Sequence, residues 1–577
     1  MSYRFKLTNG NAILNFSEEY AHTPIQLINS EGFARILKAY IEEGRIHEDD
    51  AYLYLHRCNE DDVALVKDMK DIARLLTIMT VDEIRDNYEQ YARYFEDRDV
   101  LYNIIEKIYL FWRRHQRYAV VFNQQKQISG FQSVGFVDAQ TQFEKLILQT
   151  YRTIEETALG HKNRVYRQIT AGVNAGLSVM RMRSTLPYEY RALDKVPFIE
   201  EVVIHPPFIA YSKRNKRDGI FPEVKSNPME DKSFNEDEWF CYPAKVGDLL
   251  AYVYFHVNYM AQGITLCNLF ELADIEDYRN RKPDLLYIYG YEDNRKSQCF
   301  YADTENDMMV GYVSSCDDID YFGYMKKMIL TLHNVRKLDK KALPIHGAMV
   351  EMTLHDGSKK NIVIMGDSGA GKSETIEQIK GIGYRMIRDI KTIYDDMGVL
   401  YYNSKGQIVT SGTEIGAFVR LDDLDAGYGY KELDRSVFMN PDKVNARIVI
   451  PITQYSEVVA EHQVDLFLYA NNYENANDAL SFFDNAEDAL KVFKRGARMA
   501  KGTTTEKGIV ESYFANPFGP VQRQAQTEPL LIDYFNNMFN QNIKVGQIRT
   551  RLGVSGYEHS GPKEAAKALI NYITNQK

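Results

Sequence analysis

The sequence predicts an α/β fold built from more than one domain. Three observations carry this. The chain has 577 residues, more than one ordinary domain holds. The spacing of apolar residues is helical over the first ~125 residues, shortens to strand-length runs between 160 and 335, and alternates between the two from 340 onward. A short apolar run, a glycine-rich turn and a helical stretch follow one another at 361–380.

Composition narrows the class. Hydrophobic residues make up 45% and charged residues 26%, a globular balance with ample material for buried cores. Tyrosine is abundant at 41 residues and suits half-buried sheets. The count of 70 basic against 80 acidic residues gives a net charge of −10, which does not draw nucleic acid or anionic lipid to the surface as a whole. The five cysteines, Cys58, Cys241, Cys267, Cys299 and Cys316, form no CxxC pair and read as reduced thiols. No apolar run approaches the roughly 20 residues of a membrane helix, and the first residues lack the apolar core of a signal peptide, so the expectation is a cytoplasmic protein.

In chain order, Thr80-Val81-Asp82-Glu83 has the form of a capping box. Ile84, Tyr88, Tyr91 and Phe95 follow on one helical face, and Leu101, Ile104, Ile105, Ile108, Phe111 and Trp112 make a second stripe. Both read as core packing. Asn123 to Gln127 reads as a linker. Val202–Ile204, Leu249–Val257, Leu285–Tyr291 and Met308–Val313 read as strands, and the polar stretch Ser212–Asp237 as an exposed loop or lid. The expected domains are a helical region over 1–125, a second α/β lobe over 126–335, and a nucleotide-binding lobe over 336–577.

The segment Gly366-Asp367-Ser368-Gly369-Ala370-Gly371-Lys372-Ser373 fits G-x-x-x-x-G-K-[S/T]. Asn361–Met365 before it reads as a buried strand, and Glu374–Lys380 after it as a helix. Glycines let successive backbone N–H groups curl around phosphate oxygens, and the helix turns its positive end toward them. Lys372 offers a charge to the β- and γ-phosphates, and Ser373 a hydroxyl to a metal ion. This predicts nucleoside triphosphate binding and phosphoryl transfer. A short strand, Tyr384–Ile387, leads into Asp389, 17 residues after Lys372.

Taken with Leu343-Pro344-Ile345-His346-Gly347 and Arg388-Asp389, this order resembles the superfamily of phosphoenolpyruvate carboxykinases and HPr kinases. The loop wording resembles HPr kinase. The rest, from about residue 250 to the end, resembles ATP-dependent phosphoenolpyruvate carboxykinase, in Tyr321-Phe322-Gly323-Tyr324-Met325-Lys326-Lys327, Thr413-Glu414-Ile415-Gly416-Ala417-Phe418, Asn445-Ala446-Arg447, Lys501–Gly508 and Ala515–Pro520. The resemblance implies a two-lobed fold with the P-loop in the C-terminal lobe, preceded here by the helical region. It implies ATP and Mg2+ at the P-loop, including Glu374. It implies Mn2+ held by Lys327 and His346 and, beside Ser373, by Asp389. It places Tyr321 and Lys327 at a small carboxylate substrate, Arg447 at the transferring phosphoryl group, Glu414 near the nucleotide and Thr505 near its base.

Two departures stand out. The family carries two aspartates after the strand, the second a manganese ligand, whereas here the pair reads Asp389-Ile390. Asp395-Asp396, a few residues on, reads either as a substitute for that pair or as turn residues. The segment that grips the substrate carboxylate has no match, and Arg167, Arg181 and Arg183 lie only in the right part of the chain. Three readings follow. The first is a carboxykinase-like enzyme converting oxaloacetate and ATP to phosphoenolpyruvate, carbon dioxide and ADP. The second is a kinase acting on a protein or small-molecule hydroxyl, with Asp389 as base. The third is a nucleotide-binding regulatory protein whose helical region binds a protein partner. None involves nucleic acid or a membrane.

Overall fold

The structure, a computed structural model, describes residues 3–8, 10–122, 131–162, 170–182, 185–293, 296–383, 387–421, 432–500 and 508–575. The chain is mixed α and β throughout. It divides into two compact units. The first comprises 1–182, 196–205 and 235–238, and the second 183–195, 206–234 and 239–577. These limits differ from the expected boundaries at 125/126 and 335/336.

The first unit interleaves strands β1 (Phe5–Thr8), β2 (Asn11–Asn15), β3 (Gln116–Phe122), β4 (Ala175–Met180) and β5 (Phe198–Ile204) with helices. The helices are α1 (Pro24–Asn29), α2 (Glu31–His47), α3 (Asp50–Cys58), α4 (Asp62–Leu76), α5 (Val81–Asn87), α6 (Arg98–Arg114) and α7 (Phe131–Leu159). The strands lie in that order, β1–β2 and β4–β5 antiparallel, β2–β3 and β3–β4 parallel. The first 125 residues are therefore not purely helical.

Helix starts follow local rules. Thr23, Ser30, Asp49, Asp61, Thr80 and Asp97 each cap a helix by accepting from its first amides, and Thr80 with Glu83 closes the expected capping box. The stripe after Thr80 is not one helix. Tyr88 leaves the helical region (φ −132°, ψ 72°), and Glu89–Phe95 continues as a 3-10 turn that still buries Tyr91 and Phe95. The boundary expected at 125/126 fails because α7 completes this core: its Ile154 and Ala158 are buried with Leu37, Leu65, Ile72 and Leu101. The segment read as a linker lies outside the described residues.

In the second unit, β6 (Phe208–Ala210), β7 (Glu223–Val224), β8 (Trp239–Val246), β9 (Leu249–His256), β10 (Glu271–Leu272), β11 (Leu285–Tyr291), β12 (Gln298–Asp303) and β13 (Met308–Ser314) come first. A sheet in the order β8-β9-β11-β13-β12-β7 carries three of the expected apolar runs, in β9, β11 and β13, while Val202–Ile204 lies in β5 of the first unit. Helix α8 is Met260–Thr265 and α9 is Ile275–Tyr278. Helix α10 (Phe322–Asp339) packs on this sheet, and a side chain at Gly311 would strike its Met328 and Leu332. The expected boundary at 335/336 falls inside α10.

The following strands are β14 (Leu343–Leu354), β15 (Lys359–Met365), β16 (Ile387–Tyr402), β17 (Ile408–Gly412), β18 (Gly416–Arg420), β19 (Val437–Met439), β20 (Arg447–Pro451), β21 (His462–Gln463), β22 (Leu466–Asn471) and β23 (Leu480–Phe482). The sheet β21-β17-β16-β14-β15-β22, continued by Lys544–Arg549 and β23, is buried on both faces. Val363 and Met365 of β15 join Phe467, Phe493 and Phe535 on one side, and Ile362 and Ile364 join Ile376, Ile379 and Leu569 on the other. Burial on both faces explains why this stretch reads as a continuous apolar run. Strands β18, β20, β19 and β6 form a smaller sheet beside the loops at the ends of β14–β16.

Candidate functional site

Strand β15 ends at Met365, the loop Gly366–Gly371 follows, and helix α11 (Lys372–Gly383) begins directly after it. Gly369 (φ 79°) and Gly371 (φ 92°) take left-handed backbone that a side chain opposes, and a Cβ on Gly371 would lie 2.5 Å from Thr550 Oγ1. Thr550 Oγ1 donates to the Ala370 carbonyl (2.7 Å) and Asn472 Nδ2 to that of Gly369 (2.9 Å), so these carbonyls are drawn into the protein. Lys372 Nζ lies along the loop, donating to the carbonyls of Gly366 (2.6 Å) and Asp367 (3.3 Å). Asp367 faces the other way. It accepts from Arg498 Nε (2.9 Å) and lies 3.4 Å from His346 Nδ1. Burial would raise its carboxyl, but the His346 hydrogen bond and the Arg498 charge outweigh that and hold it well below the usual range.

The antiparallel register of β14 with β16 sets Asp395 opposite Ala348 and Asp396 opposite Gly347, one residue from His346. Ser373 Oγ donates to Asp395 Oδ1 at 3.0 Å. Asp396 gathers three groups: Lys327 Nζ at 2.6 Å and Lys326 Nζ at 2.6 Å on Oδ2, and His346 Nε2 at 2.8 Å on Oδ1. Burial opposes its charge, and the two ammonium groups and the imidazole reverse that, leaving the carboxyl well below its ordinary value. Burial lowers Lys327 to about 8, although Asp396 pulls the other way. Asp396 also has a positive φ of 133°, backbone strain of the kind that persists where surrounding contacts impose it.

This corrects the expectation for Asp389. It is exposed, pairs with Thr353 in the ladder, and its Oδ1 accepts from the next amide, Ile390 N, at 3.0 Å. Seven residues of strand separate Thr353 from His346, about 23 Å at the usual rise. The aspartate pair at the loop is Asp395-Asp396, because β16 runs on for 16 residues instead of ending near 387. Residues 384–386, read as the short strand, lie outside the described residues.

An open cavity of about 180 Å³ lies between these groups. Of the expected residues, Tyr321, Lys327, Ser368, Gly369, Gly371, Lys372, Ser373, Glu374 and Arg447 line it. Gly366, Asp367, Ala370 and His346 are not among its lining residues. Glu414 does not reach it. It is 1% exposed, 3.0 Å from Lys326 Nζ, and burial pushes its carboxyl up to about 7. Thr505 lies outside the described residues, as do Arg167 and Arg183, while Arg181 pairs with Asp237 at 3.5 Å in the first unit.

Asp395 and Asp396, the alternative pair, also line the cavity, and the structure adds Lys216, Arg217, Phe418, Arg420 and Phe518. Phe418 lies under Arg447 (5.3 Å) and Lys326 (5.6 Å). Phe518 lies under Lys327 (4.7 Å) and Arg217 (5.2 Å) and meets His346 edge-on at 6.0 Å. Burial lowers the Arg217 guanidinium from its ordinary value. The only sequence signal for Arg217 was the run of cations within the stretch read as an exposed loop.

The chemistry of these donors suits an anionic ligand and a divalent ion. His346 has acceptors at both ring nitrogens, the Ala515 carbonyl (3.2 Å) and Asp367 (3.4 Å) at Nδ1 and Asp396 Oδ1 (2.8 Å) at Nε2, so a metal ion between Nε2 and Asp396 would take the place of the proton they share. A lysine lowered to about 8 gives up its proton to a metal ion more readily than an ordinary lysine, and Asp396 has a hard oxygen, a mixed set compatible with Mn2+. The cluster depends on that lysine: among the described residues, no three His, Cys, Asp or Glu side chains gather as a metal site. No protein-family model matches the chain, and no curated protein does. Among the described residues, no helix is long and apolar enough to cross a membrane.

Proposed function

We propose that the second unit is an ATP-dependent phosphoryl-transfer site of the phosphoenolpyruvate carboxykinase type, acting on a small carboxylate such as oxaloacetate. The observation that carries this reading is the convergence of Lys327, His346 and Asp396 beside the Lys372–Ser373–Asp395 group, with Arg217, Arg420 and Arg447 on the same cavity. Glycine-rich strand–loop–helix geometry supports a P-loop reading of Gly366–Ser373.

In this reading Lys372 moves from the loop carbonyls to the β- and γ-phosphates, and Ser373 with Asp395 holds the side where Mg2+ accompanies ATP. A divalent ion at Lys327, His346 and Asp396 would supply Lewis-acid polarisation of the substrate oxygens. Arg217 grips the substrate carboxylate, and Tyr321 stands on the same wall. Loss of carbon dioxide leaves the carbon–carbon electron pair as an enolate, whose oxygen attacks the γ-phosphorus while ADP departs. Arg447 and Arg420 offset the charge on the transferring group. Phe418 and Phe518 limit water at the reacting atoms. An enolate needs no general base. That agrees with a site whose nearest carboxylates are engaged, Asp396 by two lysines and Asp395 by Ser373, and it disfavours a hydroxyl kinase based on Asp389.

The test supplies purified protein with ATP, Mg2+, Mn2+ and oxaloacetate and assays phosphoenolpyruvate. Product that requires all four components is expected. ATP binding without product, across both directions of the reaction, overturns the reading.

A further inference from the structure

The first unit has a second open cavity, unrelated to phosphate chemistry. Its volume is about 150 Å³, and its walls come from β1, β2 and helices α1, α2, α4, α6 and α7. Phe33, Ile72, Leu76, Leu101, Ile105 and Phe143 represent its lining, which is aliphatic and aromatic almost throughout.

Five polar side chains on the walls are hydrogen-bonded within the protein. Trp112 Nε1 donates to the Ala171 carbonyl at 2.7 Å, and Thr150 Oγ1 to that of Leu146 at 2.7 Å. Ser30 Oγ donates to the Leu27 carbonyl at 2.6 Å, Tyr20 to that of Ala139 at 2.8 Å, and Tyr151 to the Glu106 carboxylate. Against most of these walls water finds few of the two to four polar partners it needs, which favours an apolar occupant. Arg4, exposed, and Glu19, half-buried and accepting from Glu31 N, are the charged residues among those that line it.

We infer that the first unit is a receptor for a small uncharged apolar molecule, a single aromatic ring or a short hydrocarbon. Size and chemistry both point there. Cavities of roughly 150 Å³ lined by Leu, Ile and Phe take up benzene-sized ligands. A polar ligand would have to give up its hydration against walls that are aliphatic and aromatic almost throughout. This inference does not rest on the proposed catalytic function.

Toluene is the first probe and sodium benzoate, its charged counterpart, the second, both against the full chain. Trp112 lines the cavity and is one of two tryptophans, so its fluorescence reports occupancy. The expected result is saturable quenching or a spectral shift with toluene, a rise in melting temperature with toluene concentration, and at least tenfold weaker binding of benzoate. Ala73→Leu and, separately, Leu76→Phe fill the space from α4. Each is expected to abolish the toluene effect while leaving circular dichroism and the interaction of the second unit with ATP unchanged. Three results overturn the inference: no saturable toluene effect on the parent protein, equal binding of benzoate, or full toluene binding in both folded filled variants.

Discussion

Asp396 sits one strand residue from a neighbour with a different fate. Asp395 meets a serine, whereas Asp396 is the shared counter-ion of two buried lysines and a histidine. Removing one member of a buried ion pair leaves an uncompensated charge, typically a loss of about 3 kcal/mol. Asp396→Asn is therefore expected to lower the melting temperature measurably and to reduce any phosphoryl-transfer rate by at least about 100-fold, since both the lysine positions and the carboxylate ligand change. Asp389→Asn makes the contrast. An exposed strand position away from such features tolerates change within about 0.5 kcal/mol, so melting curve and rate should match the parent. Calorimetry and a coupled assay on the two variants decide the matter, and loss of activity at Asp389 would return that residue to the site.

At the scale of elements, the loop between β15 and α11 depends on two left-handed glycines. Gly371→Ala adds a methyl into Thr550 Oγ1 at 2.5 Å and places an L-residue at φ 92°. The conformational cost alone is about 1–2 kcal/mol. We expect the variant to fold and to bind ATP at least tenfold more weakly, as read by titration calorimetry; unchanged affinity would mean the loop does not cradle the phosphates. In the first unit, His205 after β5 ties to α7 through Nε2, which donates to Gln140 Oε1 at 2.8 Å. Burial lowers its pKa, so the folded form binds fewer protons than the unfolded chain. The stability that depends on the neutral ring is present above the ordinary histidine range and is lost as pH falls through it. Melting temperatures between pH 7.5 and 5 should fall less steeply for His205→Gln than for the parent. An identical slope would mean that other groups govern the acid side.

For the whole molecule, the division of the chain has consequences for truncation. The first unit includes residues returning at 196–205 and 235–238, and its helical core needs Ile154 and Ala158 from α7. A fragment of residues 1–125 lacks α7 and strands β4 and β5. It is expected to lack a cooperative thermal transition and to bind hydrophobic dyes, because the apolar faces of α2, α4 and α6 lose their cover. A cooperative transition in that fragment would show that the first 125 residues form a self-sufficient domain after all.

Much was legible in the sequence because it depended on neighbours along the chain. The capping box at Thr80, the run of β11 over Leu285–Tyr291, and the strand–glycine loop–helix order at 359–383 are local patterns, and each stands where the spacing places it. The assignment of Lys327 and His346 to one site with Lys372 also came from motif order, and the geometry brings these residues together. What sequence reading missed depends on register and on distant segments. Asp389 and the alternative pair Asp395-Asp396 lie on the same strand, and only the pairing of β16 against β14 decides which of them faces His346. Arg217 lies in a polar stretch with no periodicity, and only packing against Phe221 and Phe518 reveals that it lines the cavity. The division of the chain is of the same kind: α7 belongs with the first unit because its apolar side chains complete that core, a fact set by contacts far apart in sequence.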